Sequence, residues 1–317
     1  MAALEELRSG PEESARAQLA KALKERNNYL AGKAASIVAE RQFQELVPNL
    51  AEAFERFLRD PIKSDPQCWA KNAIVKALKD LGADASEVFL KGVVHVQPEP
   101  VYGGTEDTAI TLRGASGLAL VNCRLSSFDI LVPLTTLLGD PAGPVRVDAA
   151  RAIAQLNARE GILPLRLSCL IGDLEAEPLG TCFAALLSLD AEGQLSFVAR
   201  FLRSREPELV MEAVAALADC KEPGAYKHLK EFWDSQSLQV VKNDMLGIIA
   251  ASVAREAADF LLWVVEVGSS GDAASALDAL LRHRRCGELK ADIERVLAER
   301  DSPELLRRYS EAPGGKG

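Results

Sequence analysis

Small residues followed at once by a large apolar one recur along this chain at near-constant distance. The pairs are Ala77-Leu78, Ala119-Leu120, Ala152-Ile153, Ala185-Leu186, Ala216-Leu217, Gly247-Ile248 and Ala279-Leu280. Their first members lie 42, 33, 33, 31, 31 and 32 residues apart. A weaker copy has Ala39 followed by Glu40, and most pairs have a second small residue three positions earlier, such as Ser116, Ala149, Cys182 and Ala213. A small residue at one fixed place of a helix lets its backbone approach a neighbour closely. Its recurrence says that every unit makes the same contact and that the units bury a shared core by stacking. Between the pairs run segments such as "FDILVPLTTLLGD" (128–140) and "EGILPLRLSCLIGD" (160–173), whose apolar residues recur at i, i+3, i+4 and i+7 and which end in Gly-Asp.

The pattern predicts antiparallel helix pairs of about 31–34 residues, eight of them, starting at about 10–43. Leu138-Gly139-Asp140-Pro141 is then the turn inside one pair, with Pro144 in the first turn of the helix that follows. Ser9 and Glu12 have the spacing of a capping box. A helix at 287–300 and a segment at 303–309 close the series, giving one domain over 1–310 and a disordered tail at 311–317.

One spacing is longer than the rest, and its extra residues fall in "HVQPEPVYGGTEDTA" (95–109). Pro98 and Pro100 forbid a continuing helix, Gly103-Gly104 allows a turn, and Thr105 or Asp107 offers a cap to the next helix. The stretch reads as a long loop, either a binding element presenting Tyr102 and Glu99 or a tolerated insertion.

Composition narrows the role. The net charge is −9, opposite to the basic excess that holds a phosphate backbone, so no nucleic acid is expected. The six cysteines form no C-x-x-C pair and read as reduced core thiols. The three histidines, His95, His228 and His283, have no ligand spacing. No phosphate-binding glycine motif is present. No catalytic residue, cofactor or metal is therefore assigned. The acidic start "MAALEELRSGPEE" has no apolar core, and no apolar run is long enough to cross a bilayer, so a cytoplasmic protein is expected. "RHRR" (282–285) reads as cations at a helix C-terminus, and Trp233, Phe260 and Trp263 as core.

The stretch "LLGDPAGPVRVDAARAIAQL" (137–156) resembles a HEAT repeat of the short type found in phycobilisome-lyase-like proteins, with Asp140, Pro141, Val145, Arg146, Ala149, Ala150 and Ile153 at the places that repeat favours. "WAKNAIVKAL" (69–78) and "LRGASGLAL" (112–120) match less closely. The resemblance implies an all-α fold, a right-handed α-solenoid (superhelix) whose second helices line a concave face, and an Asp–Arg ladder, to which Arg146 following Asp140 would belong. On that face helical spacing exposes Lys76, Asn122, Asp148, Arg151, Gln155, Glu212 and Asp219. The groove is mixed and weakly acidic, suited to a protein or peptide. The expected function is a non-catalytic scaffold binding a protein partner through this face and the 95–109 loop. A bilin lyase-like enzyme or chaperone subunit, implied by repeat type alone, is the alternative; a nucleic-acid-binding solenoid is a second, disfavoured by charge.

Overall fold

A computed structural model describes residues 2–311, which fall into two compact units, 2–164 and 165–311. The first opens with the short helix α1 (Ala2–Glu5) and continues as α2 (Glu12–Leu23), α3 (Asn28–Glu40), α4 (Val47–Leu58), the one-turn α5 (Pro61–Ser64), α6 (Trp69–Asp80) and α7 (Ser86–Val93). Strands β1 (Pro98–Val101) and β2 (Gly104–Asp107) precede α8 (Ile110–Leu120), α9 (Ser127–Leu137) and α10 (Gly143–Leu156). The second helices of the four hairpins, α3, α6, α8 and α10, pack in sequence order, and the first helices α2, α4, α7 and α9 form a parallel layer.

The second unit has α11 (Ile162–Ile171), whose first turn precedes the boundary, and α12 (Ala176–Leu189), α13 (Ala191–Ala199), α14 (Pro207–Ala218), α15 (Gly224–Ser235), α16 (Gln239–Ala251), α17 (Arg255–Val267) and α18 (Ser270–Arg282). Here α12, α14, α16 and α18 stack, as do α13, α15 and α17. Helices α19 (Lys290–Arg300) and α20 (Pro303–Glu311) extend the two layers. Each unit is thus built of stacked antiparallel hairpins, the arrangement of an α-solenoid. Glu311, assigned to the tail from sequence, is the last residue of α20; 312–317 lie outside the described residues. No helix among the described residues is long and apolar enough to cross a membrane.

The small residues sit where the helices touch: Ala77, Ala119, Ala152, Ala185, Ala216 and Ala279 are buried. The α16 copy is out of phase by one residue. Gly247 is exposed there, whereas Met245, Leu246 and Ile249 are buried, so larger side chains make the contact and the small residue of this unit is spent on the surface. Two glycines have a sharper reason to be small. A Cβ on Gly114 (α8) would collide with the Asp148 carboxylate of α10, and one on Gly180 (α12) would collide with the Glu212 carboxylate of α14. Each unit thus uses the same device, an acidic side chain of one second helix resting on a glycine of the preceding one.

Helix starts follow local chemistry. Asn27, Ser126, Asp190 and Ser269 each accept a backbone N–H of the first turn of α3, α9, α13 and α18. The Ser9–Glu12 capping box does not form. Pro11 occupies the N-cap of α2, and the Arg41 guanidinium takes the Leu7 and Gly10 carbonyls at 2.8 Å. Trp233 and Phe260 are buried and meet edge to face at 5.9 Å, so these aromatics are core; Trp263 is half-buried beside Phe260. All six cysteines are free thiols, Cys286 half-buried and the others buried.

Candidate functional site

The 95–109 stretch is a β-hairpin. Pro98 pairs with Asp107, Glu99 with Glu106, Pro100 with Thr105 and Val101 with Gly104. A proline has no N–H, so only Glu99 and Val101 of β1 can donate to the ladder, and the two prolines take the outward-facing backbone positions. Gly103, at φ +89°, supplies the left-handed residue of the Tyr102-Gly103 turn.

The base of this hairpin is tied into the first unit. The Glu99 carboxylate accepts hydrogen bonds from the Gln67 backbone N–H (2.5 Å), Gln97 Nε2 (2.7 Å) and Thr108 Oγ1 (2.7 Å). Burial alone would raise the Glu99 pKa, but these bonds and the Lys71 charge hold it below its ordinary value. Asp107 behaves likewise. It accepts the Gln97 and Ala109 N–H groups and pairs with Arg113 at 2.6 Å, which outweighs its partial burial and lowers its pKa. Neither expected residue caps α8: Ala109 holds the N-cap without a side-chain bond, Asp107 accepts the Ala109 N–H ahead of the helix, and Thr105 stays exposed in the strand.

Beneath lies a buried ion pair, Lys71 Nζ to Asp65 Oδ2 at 2.9 Å, both side chains without solvent exposure. The two Asp65 oxygens also accept the Ala70 and Lys71 backbone N–H groups at the start of α6. This clamp holds Gln67 and Cys68 at φ +58° and +53°, a left-handed conformation that costs a non-glycine residue about 1–3 kcal/mol. Cys68 donates to Gln97 Oε1 at 3.2 Å, and burial pushes its thiol up to about 11. His95 Nε2 shares the same acceptor at 3.0 Å, and burial lowers its pKa. A buried, protonated thiol is no nucleophile. The cluster fixes the base of the hairpin.

One rung of an Asp–Arg ladder joins Arg113 to Asp140. Arg113 grips Asp140 through two bonds (2.7 and 3.1 Å), joining α8 to the turn before α10. Arg146, one turn into α10, also donates to the Asp140 and Pro141 carbonyls.

What the anchored hairpin presents is apolar and aromatic. Tyr102 is fully exposed at its tip, next to the exposed Val101. Tyr29 and Trp69, at the starts of α3 and α6, stand half out of the surface with ring centroids 5.1 Å apart. Trp69 Nε1 donates to Gln67 Oε1, and Gln67 N–H donates to Glu99, so the aromatic pair connects directly to the hairpin base. Sequence reading missed Tyr29 and Trp69. Their signal was an aromatic at the opening of two successive second helices, where the repeat core has no use for one.

Of the seven face residues expected to be exposed, five are exposed and two are half-buried. In the first unit Lys76, Asn122, Arg151 and Gln155 are exposed and Asp148 is half-buried; in the second Asp219 is exposed and Glu212 half-buried. Lys76 borders a shallow cavity of about 360 Å³ with Ser36, Glu40, Gln42 and Asp80. Burial raises the Asp148 pKa against the nearby Arg151. Burial, and then the neighbouring Glu177, raises that of Glu212. Glu212 lines an open cavity of about 590 Å³ with Glu175, Glu177, Glu208, Asp244 and Met211. Tyr102 belongs to the hairpin edge of the first unit, while Trp69, seven residues before Lys76 on α6, stands at the beginning of the same helix face as Lys76. Glu99, predicted as a contact residue, is occupied in holding the hairpin. Among the described residues no group of three His, Cys, Asp or Glu could hold a metal ion.

No family model matches the chain. No curated protein matches it either. Among solved structures, the complex of CpcE and CpcF of phycocyanin lyase from Nostoc sp. PCC7120 is similar, at a TM-score of 0.42 and 18% identity over 79% of this chain and 93% of that one.

Proposed function

We propose that this chain is a non-catalytic interaction scaffold that binds a partner protein through the β-hairpin edge of its first unit and the exposed face of its second helices. The observation that carries the reading is the anchored hairpin. Four side chains, Glu99, Asp107, Gln97 and Thr108, immobilise its base, while Val101 and the fully exposed Tyr102 face solvent at its tip. A neutral insertion gains nothing from a buried anchor, whereas a contact element gains a pre-ordered aromatic that loses little entropy on binding. Tyr and Trp are also the side chains that dominate contact energy in interfaces. The acidic lining around Glu212 favours a partner that brings lysine or arginine to the second-helix face.

The test is capture of partners by the intact protein and by Tyr102→Ala/Trp69→Ala, read by mass spectrometry and repeated with purified components. Both substitutions leave Glu99 and Asp107 in place, so the hairpin stays anchored. Loss of a partner from that variant, with an unchanged melting temperature, supports the hairpin edge as the contact. Retention there with loss on Lys76→Glu/Arg151→Glu moves the contact to the second-helix face. Retention on both sinks the proposal. Added bilin, followed by absorbance, and DNA retardation at low salt read out the lyase-like and nucleic-acid alternatives in the same preparations.

A further inference from the structure

A cavity of about 410 Å³ opens in the second unit between the end of α13, the turn into α14, the body of α15 and the start of α16. Its floor is apolar: Ala199, Leu202, Val210 and Phe232 reach it from the core, with Met211 half-buried beside them. Two exposed cations, Arg203 and Arg205, line it as well. Concave, mostly apolar sites with a few placed polar groups are where small organic ligands bind.

The arginines flank a place where the stack lacks a rung. Ser204 stands twelve residues before Ala216, as Asp140 stands twelve before Ala152. Leu179 stands six before Ala185, as Arg113 stands six before Ala119. Serine and leucine thus hold the positions of the Asp140–Arg113 pair, and no ion pair forms there. Neither Arg203 nor Arg205 has a hydrogen bond, ion pair or ring contact with any described residue. The other polar groups of the lining are engaged. Ser204 Oγ accepts the Glu206 N–H, Ser235 Oγ donates to the Phe232 carbonyl and accepts from Gln236 Nε2, and His228 Nδ1 lies 3.7 Å from a Glu231 oxygen. Two uncommitted guanidiniums beside an apolar floor call for a ligand with an anionic head and an apolar body.

We propose that this cavity binds an apolar monocarboxylate, with its carboxylate on Arg203 and Arg205 and its apolar body over Val210 and Phe232. The planar guanidinium matches a carboxylate through paired N–H bonds. A single negative charge suits the site better than the near-double charge of a phosphate monoester. Glu231 is part of the lining, and a second cavity, with Glu208, Glu212 and Asp244, adjoins this one across Pro207 and Met211. A free acid and the apolar C-terminal residue of a chain both carry this group.

Methyl NMR of methionine-labelled protein tests the proposal. Met211 lines the cavity, whereas Met245 is buried outside its lining and serves as the internal control. Hexanoate is expected to shift the Met211 signal saturably, with a dissociation constant of about 1 mM, and to leave Met245 in place. Hexanol and hexylammonium are expected to bind at least about tenfold more weakly. Arg203→Glu/Arg205→Glu is expected to lose hexanoate and gain hexylammonium, a reversal that unfolding cannot imitate. N-acetylleucine binding more tightly than hexanoate assigns the site to a chain end, and the reverse order assigns it to a free acid. No saturable Met211 shift up to about ten times the expected constant overturns the proposal. So does equal binding of hexanol, or hexanoate binding undiminished by the double substitution. Tighter binding of hexyl phosphate overturns the choice of a monoanion. None of these readouts involves Tyr102, Trp69, Lys76 or Arg151, so this proposal and the scaffold reading fail separately.

Discussion

The Arg113–Asp140 pair of the first unit and the Lys242–Asp272 pair of the second both link successive second helices. In each, the fourth residue of a second helix, α8 or α16, reaches an aspartate near the beginning of the next: Asp140 in the turn before α10, Asp272 in the first turn of α18. The surroundings differ. Arg113 is 3% exposed, bridges Asp140 and Asp107, and also donates to the His95 carbonyl. Lys242 is 17% exposed and shares Asp272 with Gln239. The β-hairpin makes the difference. It covers the ladder of the first unit and supplies a second carboxylate, so a plain inter-repeat contact becomes part of a buried polar network. Among the described residues of the second unit no hairpin covers the ladder, and that edge has inter-repeat contacts alone. A repeat array thus gains a specialised edge from one insertion without changing its packing rule.

Breaking the network at its most buried point is expected to have the largest effect. Lys71→Met leaves Asp65 buried without a counter-charge and is expected to cost about 3–5 kcal/mol in urea unfolding, with the loss confined to the first unit in hydrogen exchange. Asp140→Asn and Asp272→Asn test the ladder itself. The first is expected to cost about 1–3 kcal/mol and the second less, because Lys242 is better solvated than Arg113. Equal costs would mean that the hairpin cover is energetically idle.

Glycine contacts sharpen the comparison. Gly114→Ala and Gly180→Ala are each expected to destabilise by about 1–3 kcal/mol. A new methyl group would lie 3.2 Å from the Asp148 Cβ or 3.0 Å from the Glu212 Cβ, atoms that a change of rotamer does not carry away. Thermal melts of the two variants test this.

Acid is expected to act on the hairpin more gently. Glu99 and Asp107 titrate below their ordinary values of 4.5 and 3.8 in the folded chain. A carboxylate with a depressed folded pKa contributes stability in full above its ordinary pKa and loses it as the pH falls through the lower folded one. Protease cleavage at the hairpin is therefore expected to be slow near neutrality and to accelerate only on acidification below the ordinary carboxylate range. Glu99→Gln is expected to make the hairpin cleavable already at neutral pH. Fast cleavage of the unaltered chain at neutrality would show that the anchor does not hold.

The helical-hairpin fold was legible in the sequence because stacking imposes one contact on every unit, and that contact selects a small residue at a fixed period. Helical spacing likewise separated exposed from buried positions at Lys76, Arg151, Gln155 and Asp219. It slipped at Gly247, where glycine's size imitates a contact residue although the position faces solvent. The tertiary structure alone decided three matters. Apolar periodicity in 160–173 marks a helix with a buried face, but Leu167 and Leu170 are apolar like Leu165, and only packing says which side is left bare. Pro98 and Pro100 exclude a helix, yet the pairing of β1 with β2 depends on anchors 30 to 40 residues distant, at Asp65 and Gln67. The Asp140 carboxylate pairs with Arg113 of the preceding second helix, whereas Arg146 of its own hairpin reaches the Asp140 backbone carbonyl, a division that only the stacking of α8 on α10 sets. Local patterns record what a residue must do in its own element, and long-range partners are set by how the elements meet.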